Sequence, residues 1–117
     1  MKFDLNNKVA IVTGASQGIG ETIAVEMANS GAYVICLARN KDALDSTIAI
    51  IQKNGKKATA YSCDISDNEQ FNQIVKNVID EHEKIDILVN NAGITNDTLL
   101  MRMSDEQWDN VLDINLK

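Results

Sequence analysis

Val9-Ala10-Ile11-Val12-Thr13-Gly14-Ala15-Ser16-Gln17-Gly18-Ile19-Gly20 sets the reading of the whole chain. Its first four residues form a short, continuous apolar run, the pattern of a strand buried on both faces. From Gly18 the period changes. Ile19, Ile23 and Met27 are four apart, which predicts one face of a helix, with Gly31 as its stop. A strand, a glycine loop and a helix in that order can hold the phosphates of a dinucleotide. Gly14 allows a tight turn, Gly18 lets the backbone approach a pyrophosphate, and Gly20 lets the helix pack closely on the strand. The helix N-terminus offers N–H groups and a positive dipole end, and Ser16 can add a hydroxyl. Glycines also suit a purely structural turn, so the strand–loop–helix setting is what favours the ligand.

The same alternation continues outward. Tyr33-Val34-Ile35-Cys36-Leu37 predicts a second strand, and Leu44, Ile48 and Ile51 a second helix closed near Asn54-Gly55. Residues 58–63 form a weaker third strand. Ser66 or Asp67 can cap a third helix with Phe71, Ile74, Val75 and Val78 inward. Ile85-Asp86-Ile87-Leu88-Val89 is a fourth strand. Ser104 and Gln107 resemble a capping box for a further helix, with Trp108, Val111 and Leu112 inward. Strands alternating with helices imply an α/β fold, a Rossmann-like doubly wound parallel sheet of about four strands in the order 3-2-1-4. The fourth strand would be left as an unpaired apolar edge. That marks residues 1–117 as one domain incomplete at its C-terminus, a piece of something longer.

Composition narrows the function. In 117 residues, 44% are apolar, enough for one packed domain and against disorder. The net charge is −6 and no basic run occurs, so nucleic acid and anionic membranes are poor partners. No stretch approaches the roughly 18 apolar residues of a membrane span. The first residues lack the apolar core of a signal peptide, so the expected location is the cytoplasm. Cys36 and Cys63 lie in apolar runs and read as buried reduced thiols rather than a disulfide. His82, in Glu81-His82-Glu83, stands alone at the expected solvated end of a helix, so metal binding has no support.

The second strand ends Leu37-Ala38-Arg39-Asn40, with no acid between Gly31 and Lys41. A carboxylate there would accept the hydroxyls of an unphosphorylated ribose and repel a 2′-phosphate. Arg39 instead suits a phosphate, although a solvated surface arginine is the alternative. The expected cofactor is NADP(H).

The spacing Gly-x-x-x-Gly-x-Gly introduced by Thr13 resembles the short-chain dehydrogenase/reductase family, and so does Asn90-Asn91-Ala92-Gly93 after the fourth strand. The resemblance implies a cofactor site at Thr13, Gly14, Ser16, Gln17, Gly18, Ile19 and Gly20, with Arg39 on the ribose side. It further implies Asp64 at the adenine amino group, Ile65 near the ring, and Asn91, Ala92 and Gly93 as cofactor contacts, with Asn90 steadying the sheet. Gln17 departs from the basic residue common at its position, which weakens NADP(H) against NAD(H). Asn115 matches the first member of the family's Asn, Ser, Tyr and Lys tetrad, holding a water in a proton relay. Neither Tyr33 nor Tyr61 has a lysine four residues later, so the other three members would follow Lys117.

Residues 94–103, Trp108 and Asp113-Ile114-Asn115-Leu116 resemble the family's bacterial 3-oxoacyl-carrier-protein reductases. The Leu/Met stretch is otherwise readable as a buried loop and a helix-packing surface. That branch implies NADPH-dependent reduction of a thioester on acyl carrier protein in fatty acid elongation, and a homotetramer at full length. This half shows no basic patch for the acidic carrier, whose docking is expected to fall beyond Lys117. The alternatives are a reductase of acetoacetyl-coenzyme A, sugars or steroids, or a non-catalytic nucleotide-binding fragment.

Overall fold

A computed structural model describes residues 4–91 and the backbone of 99–102. Four strands run parallel: β1 (Val9–Thr13), β2 (Tyr33–Ala38), β3 (Ala58–Ser62) and β4 (Ile87–Asn90). Helices α1 (Gly18–Asn29), α2 (Lys41–Lys53) and α3 (Asn68–His82) connect them. The spatial order begins 3-2-1-4, the order expected from the sequence. The register sets Ile11 beside both Ile35 and Leu88, so β1 is paired along both edges.

Period-two alternation then divides the core. Val9, Ile11, Ile35, Leu37 and Leu88 face α3, where they bury Phe71, Ile74, Val75 and Val78. Ala10, Val12, Val34, Cys36 and Val89 face α1 and α2 with Ala24, Met27, Ala28, Leu44 and Ile51. Cys63 belongs to the first face and Cys36 to the second, so the sheet stands between the two free thiols.

Four expectations need correction. The fourth strand is not an open edge: β5 (Leu99–Arg102) pairs with it antiparallel, Leu88 opposite Met101. The Leu/Met stretch is therefore strand over these four residues rather than loop, and it covers the backbone groups that β4 would otherwise present. Of the expected face Ile19, Ile23 and Met27, Met27 is buried and Ile23 packs against the core, but Ile19 is 65% exposed, and α1 also buries Gly20, Ala24 and Ala28. Small residues there bring the helix close to the sheet. His82 is mostly covered rather than solvated, its side chain 18% exposed. Its ring packs on Tyr33 with centroids 4.3 Å apart, and its Nε2 is buried without a hydrogen-bond partner.

The lysines that look scattered in sequence also converge. Lys8, Lys56, Lys57 and Lys84 line a broad hollow of about 800 Å³ where β1 and β2 begin. The hollow lies opposite the glycine loop, across the length of β1. Among the described residues no helix is long and apolar enough to cross a membrane. No group of three or more His, Cys, Asp or Glu among them could hold a metal ion.

Candidate functional site

The glycine loop leaves β1 at Thr13, one of two buried polar residues among those described. A buried hydroxyl needs partners. Thr13 Oγ1 donates toward Asn90 Oδ1 at 3.0 Å and accepts the Asn91 N–H at 2.9 Å. These bonds stitch the ends of β1 and β4 together. The chain then turns at Gly14, whose φ of +62° is a left-handed conformation that suits glycine. Asn91 Nδ2 reaches the Gly14 carbonyl at 3.4 Å.

Helix α1 returns over this turn with almost no clearance. A β-carbon at Gly20 would lie 2.0 Å from Gly14 O and 2.7 Å from Asn91 Nδ2. Gly20 thus admits the close approach of helix to loop, tighter than the helix-to-strand packing expected from sequence. Gly18 is different: its φ is +58°, and a β-carbon there would meet nothing within 4 Å. The space beside Gly18 is open.

Helices α2 and α3 are capped by their own side chains. Asn40 Oδ1 accepts Ala43 N at 3.2 Å, and Asp67 Oδ1 accepts Glu69 N at 3.0 Å and Gln70 N at 3.2 Å. The N-cap of α1, Gln17, makes no such side-chain bond. The first-turn N–H groups of α1 therefore face the open loop without a cap from that side chain, and with the dipole they suit an anion.

Beside this loop lies a hollow of about 270 Å³ lined by Thr13, Gly14, Ser16, Leu37, Ala38, Arg39, Cys63 and Ile65. Five of the residues expected from sequence meet here: Thr13, Gly14, Ser16, Arg39 and Ile65. Gln17, Gly18, Ile19 and Gly20 continue the loop into α1, and Asn91 holds it from β4. Ala92, Gly93 and Asn115 lie outside the described residues. Leu37, Ala38 and Cys63 add apolar wall that the motifs did not single out. Their signal was position, since each sits at or just past the carboxyl end of a parallel strand.

Arg39 extends into solvent with its side chain 79% exposed, 3.7 Å from an Asp64 carboxylate oxygen. An acid thus reaches Arg39 from the neighbouring strand end, which counting between Gly31 and Lys41 could not reveal. Asp64 also accepts Ser66 N at 3.0 Å and Ser66 Oγ at 2.7 Å. The two Ser66 bonds, and then Arg39, hold its carboxyl below the usual range. Ser62 Oγ donates to the Arg39 carbonyl at 2.8 Å, fixing the backbone that carries the guanidinium.

A residue with no motif completes the scaffold. Thr47, in α2, is fully buried, and its hydroxyl donates to the Ala15 carbonyl at 2.9 Å.

Fold and site together define a doubly wound α/β protein whose strand-end crevice is built around an open glycine loop. A model of the short chain dehydrogenase family matches residues 8–117. The chain belongs to the short-chain dehydrogenase family. It is 41% identical over 112 residues to a 3-oxoacyl-[acyl-carrier-protein] reductase of Staphylococcus epidermidis, covering 95% of this chain and 46% of that protein. It is 43% identical over 113 residues to the reductase of the same name from Synechocystis, covering 96% of this chain and 46% of that protein. The chain thus spans less than half the length of these relatives.

Among solved structures, a metagenomic short-chain oxidoreductase in complex with NADP superposes with a TM-score of 0.75 at 37% identity, covering 78% of this chain and 41% of the other. An NAD⁺-bound xylitol dehydrogenase superposes at 0.69 and 34% identity, covering 72% and 32%.

Proposed function

We propose that residues 1–117 form the NADP(H)-binding Rossmann-like part of a reductase. The whole protein converts 3-oxoacyl-[acyl-carrier-protein] to the 3-hydroxyacyl form in fatty acid synthesis. The observation that carries the cofactor reading is the single hollow joining the glycine loop, the end of β2 with Arg39, and Ile65. Open space at Gly18 and the absence of a Gln17 side-chain cap on α1 fit a bound pyrophosphate. The apolar walls Leu37 and Ile65 fit an adenine ring. Arg39 fits a 2′-phosphate, with Asp64 as its resting partner. The substrate reading rests on the 41–43% identity to reductases of that name.

When bound, the nicotinamide supplies the hydride. The residues of this chain bind and orient. Ser16 and the first N–H groups of α1 hold phosphate oxygens. Thr13, through Asn90 and Asn91, fixes the strand ends around the loop. Asn91, Ala92 and Gly93 continue the cofactor contact after β4. Asn115 acts as the proton-relay asparagine, with a serine, a tyrosine and a lysine of the family's tetrad beyond Lys117. The whole protein assembles as a homotetramer.

The test is turnover. The whole purified protein, given NADPH and acetoacetyl-[acyl-carrier-protein], is expected to oxidise the cofactor and form the 3-hydroxyacyl thioester, detected by mass. Turnover of acetoacetyl-coenzyme A, a sugar or a steroid at a hundredfold higher kcat/KM would replace the carrier-bound substrate with that one. No binding of either nicotinamide cofactor would remove the reading altogether.

A further inference from the structure

Thr47 sits on the inward face of α2 with Leu44 and Ile51, where an apolar residue would serve packing equally well. Threonine is also a weak helix former, and a buried hydroxyl is costly unless it is bonded. Its partner is the Ala15 carbonyl, in the glycine loop between Gly14 and Ser16. The N–H of the same residue donates to the Leu37 carbonyl at 3.1 Å. Ala15 is therefore pinned on both sides, by β2 through its nitrogen and by α2 through its oxygen. Thr47 Oγ1 also lies 3.0 Å from a carboxylate oxygen of Glu21. Glu21 is the acidic residue in the first turn of α1. A carboxylate there competes with any bound anion for the same N–H groups and dipole end.

Resting on the cofactor reading above, we infer that Thr47 is a positioning residue for the cofactor's phosphates. Its one hydroxyl proton is shared between the Ala15 carbonyl, which it holds in the glycine loop, and the Glu21 carboxylate. Both phosphate-bearing cofactors share the pyrophosphate, so the effect falls on NADPH and NADH alike. This separates Thr47 from Arg39, which acts on the 2′-phosphate alone.

The experiment measures NADPH and NADH affinity of the whole protein by cofactor fluorescence, with circular dichroism to check folding. Thr47→Val is expected to weaken both cofactors by a similar factor of about ten, the scale of a lost hydrogen bond to a buried group. Thr47→Ser should restore affinity to within about twofold, because it keeps the hydroxyl. Glu21→Gln alone should change affinity little, since its amide oxygen can still accept the shared proton. In the Thr47→Val background it should recover part of the loss. If the unmutated protein binds neither cofactor, the cofactor reading fails first. If it binds both and Thr47→Val binds them equally well, Thr47 is only a packing residue. Should Thr47→Val not fold, Thr47→Ala decides with the same two outcomes: a similar loss for both cofactors supports the role, and unchanged affinity overturns it.

Discussion

The α-carbon of Gly20 faces the carbonyl oxygen of Gly14 so closely that a β-carbon would stand 2.0 Å from that oxygen. The contact is backbone against backbone, so no side-chain rotation relieves it. Gly20→Ala must push α1 off the loop or distort the turn at Gly14. Overpacking of a tight site typically costs about 1–3 kcal/mol. We expect Gly20→Ala to lower the unfolding free energy of the whole protein by about that amount, measured by urea titration, and to weaken cofactor binding. Gly55→Ala is the control. Unlike Gly20 it has a positive φ, at +76°, with open space around it, so only backbone strain of about 1–2 kcal/mol applies and the loop is untouched. Equal cofactor affinity in the Gly20 and Gly55 variants would refute the close-approach argument.

The strand order could be read from the chain because each parallel strand is a continuous apolar run and each helix a periodic one. Phe71, Ile74, Val75 and Val78 illustrate this, being both the expected and the observed buried face of α3. Ile19 misled because hydrophobic spacing gives weight to isoleucine and none to glycine. The true inner stripe of α1 begins at Gly20, chosen for its lack of bulk. Leu99–Arg102 carries no alternation, and its strand character comes from pairing with β4. In the site, Thr13, Gly14, Ser16, Arg39 and Ile65 could be found through motifs. Thr47 could not, because a lone threonine in a helix has no periodic signal and its partner is 32 residues away. The Arg39–Asp64 pair was hidden for the same reason, being brought together only by the adjacency of β2 and β3.

Burial pushes the Cys36 thiol from the ordinary 9.0 up to about 12. Between those values the unfolded chain has lost the proton and the folded chain keeps it. The folded state then binds more protons, so stability falls as pH rises. This contribution is fully present below pH 9.0 and is lost towards about 12. One such group gives a slope of up to about 1.4 kcal/mol per pH unit. Urea midpoints at pH 8 to 11 should fall, and Cys36→Ala should fall less steeply despite a lower starting value. Parallel slopes in the two proteins would rule out Cys36 as a source of the alkaline loss. Cys63, also raised by burial first, shifts stability in the same direction.

The lysine hollow is a charged surface that an acidic carrier protein could use, but it lies at the far end of the sheet from the glycine loop. Lys56 and Lys57 lie before β3, whereas the cofactor hollow lies past the ends of β1 and β2. Five residues of β1 separate the two by roughly 13 Å along the strand. In the proposed reductase the thioester works at the glycine-loop end, so carrier docking should ignore this hollow. We expect Lys56→Glu with Lys57→Glu to leave KM for acetoacetyl-[acyl-carrier-protein] within about twofold, as for surface charges away from the docking face. A tenfold rise in KM with NADPH affinity unchanged would place the carrier on this surface instead.

The proposed preference for NADPH turns on Arg39 and Asp64. Their separation of 3.7 Å and side-chain exposures of 79% and 43% describe a pair in solvent. Such pairs hold each other by only about 0–1 kcal/mol. A 2′-phosphate offers a charge-assisted bond of about 1.5–3 kcal/mol and can draw the guanidinium away. Arg39→Asp removes that bond and sets a second carboxylate beside Asp64. NADPH affinity should fall by about 10- to 100-fold, while NADH, which has no phosphate there, should change by less than about threefold. Asp64→Asn gives the opposite sign. Arg39 loses its competing partner, so the ratio of NADPH to NADH affinity should rise even if both cofactors lose a contact to Asp64. Fluorescence titration of the two cofactors against the three proteins measures every term. Equal affinity for NADPH and NADH in the unmutated protein would end the assignment, because Arg39 would then be a solvated surface residue held by Asp64 alone.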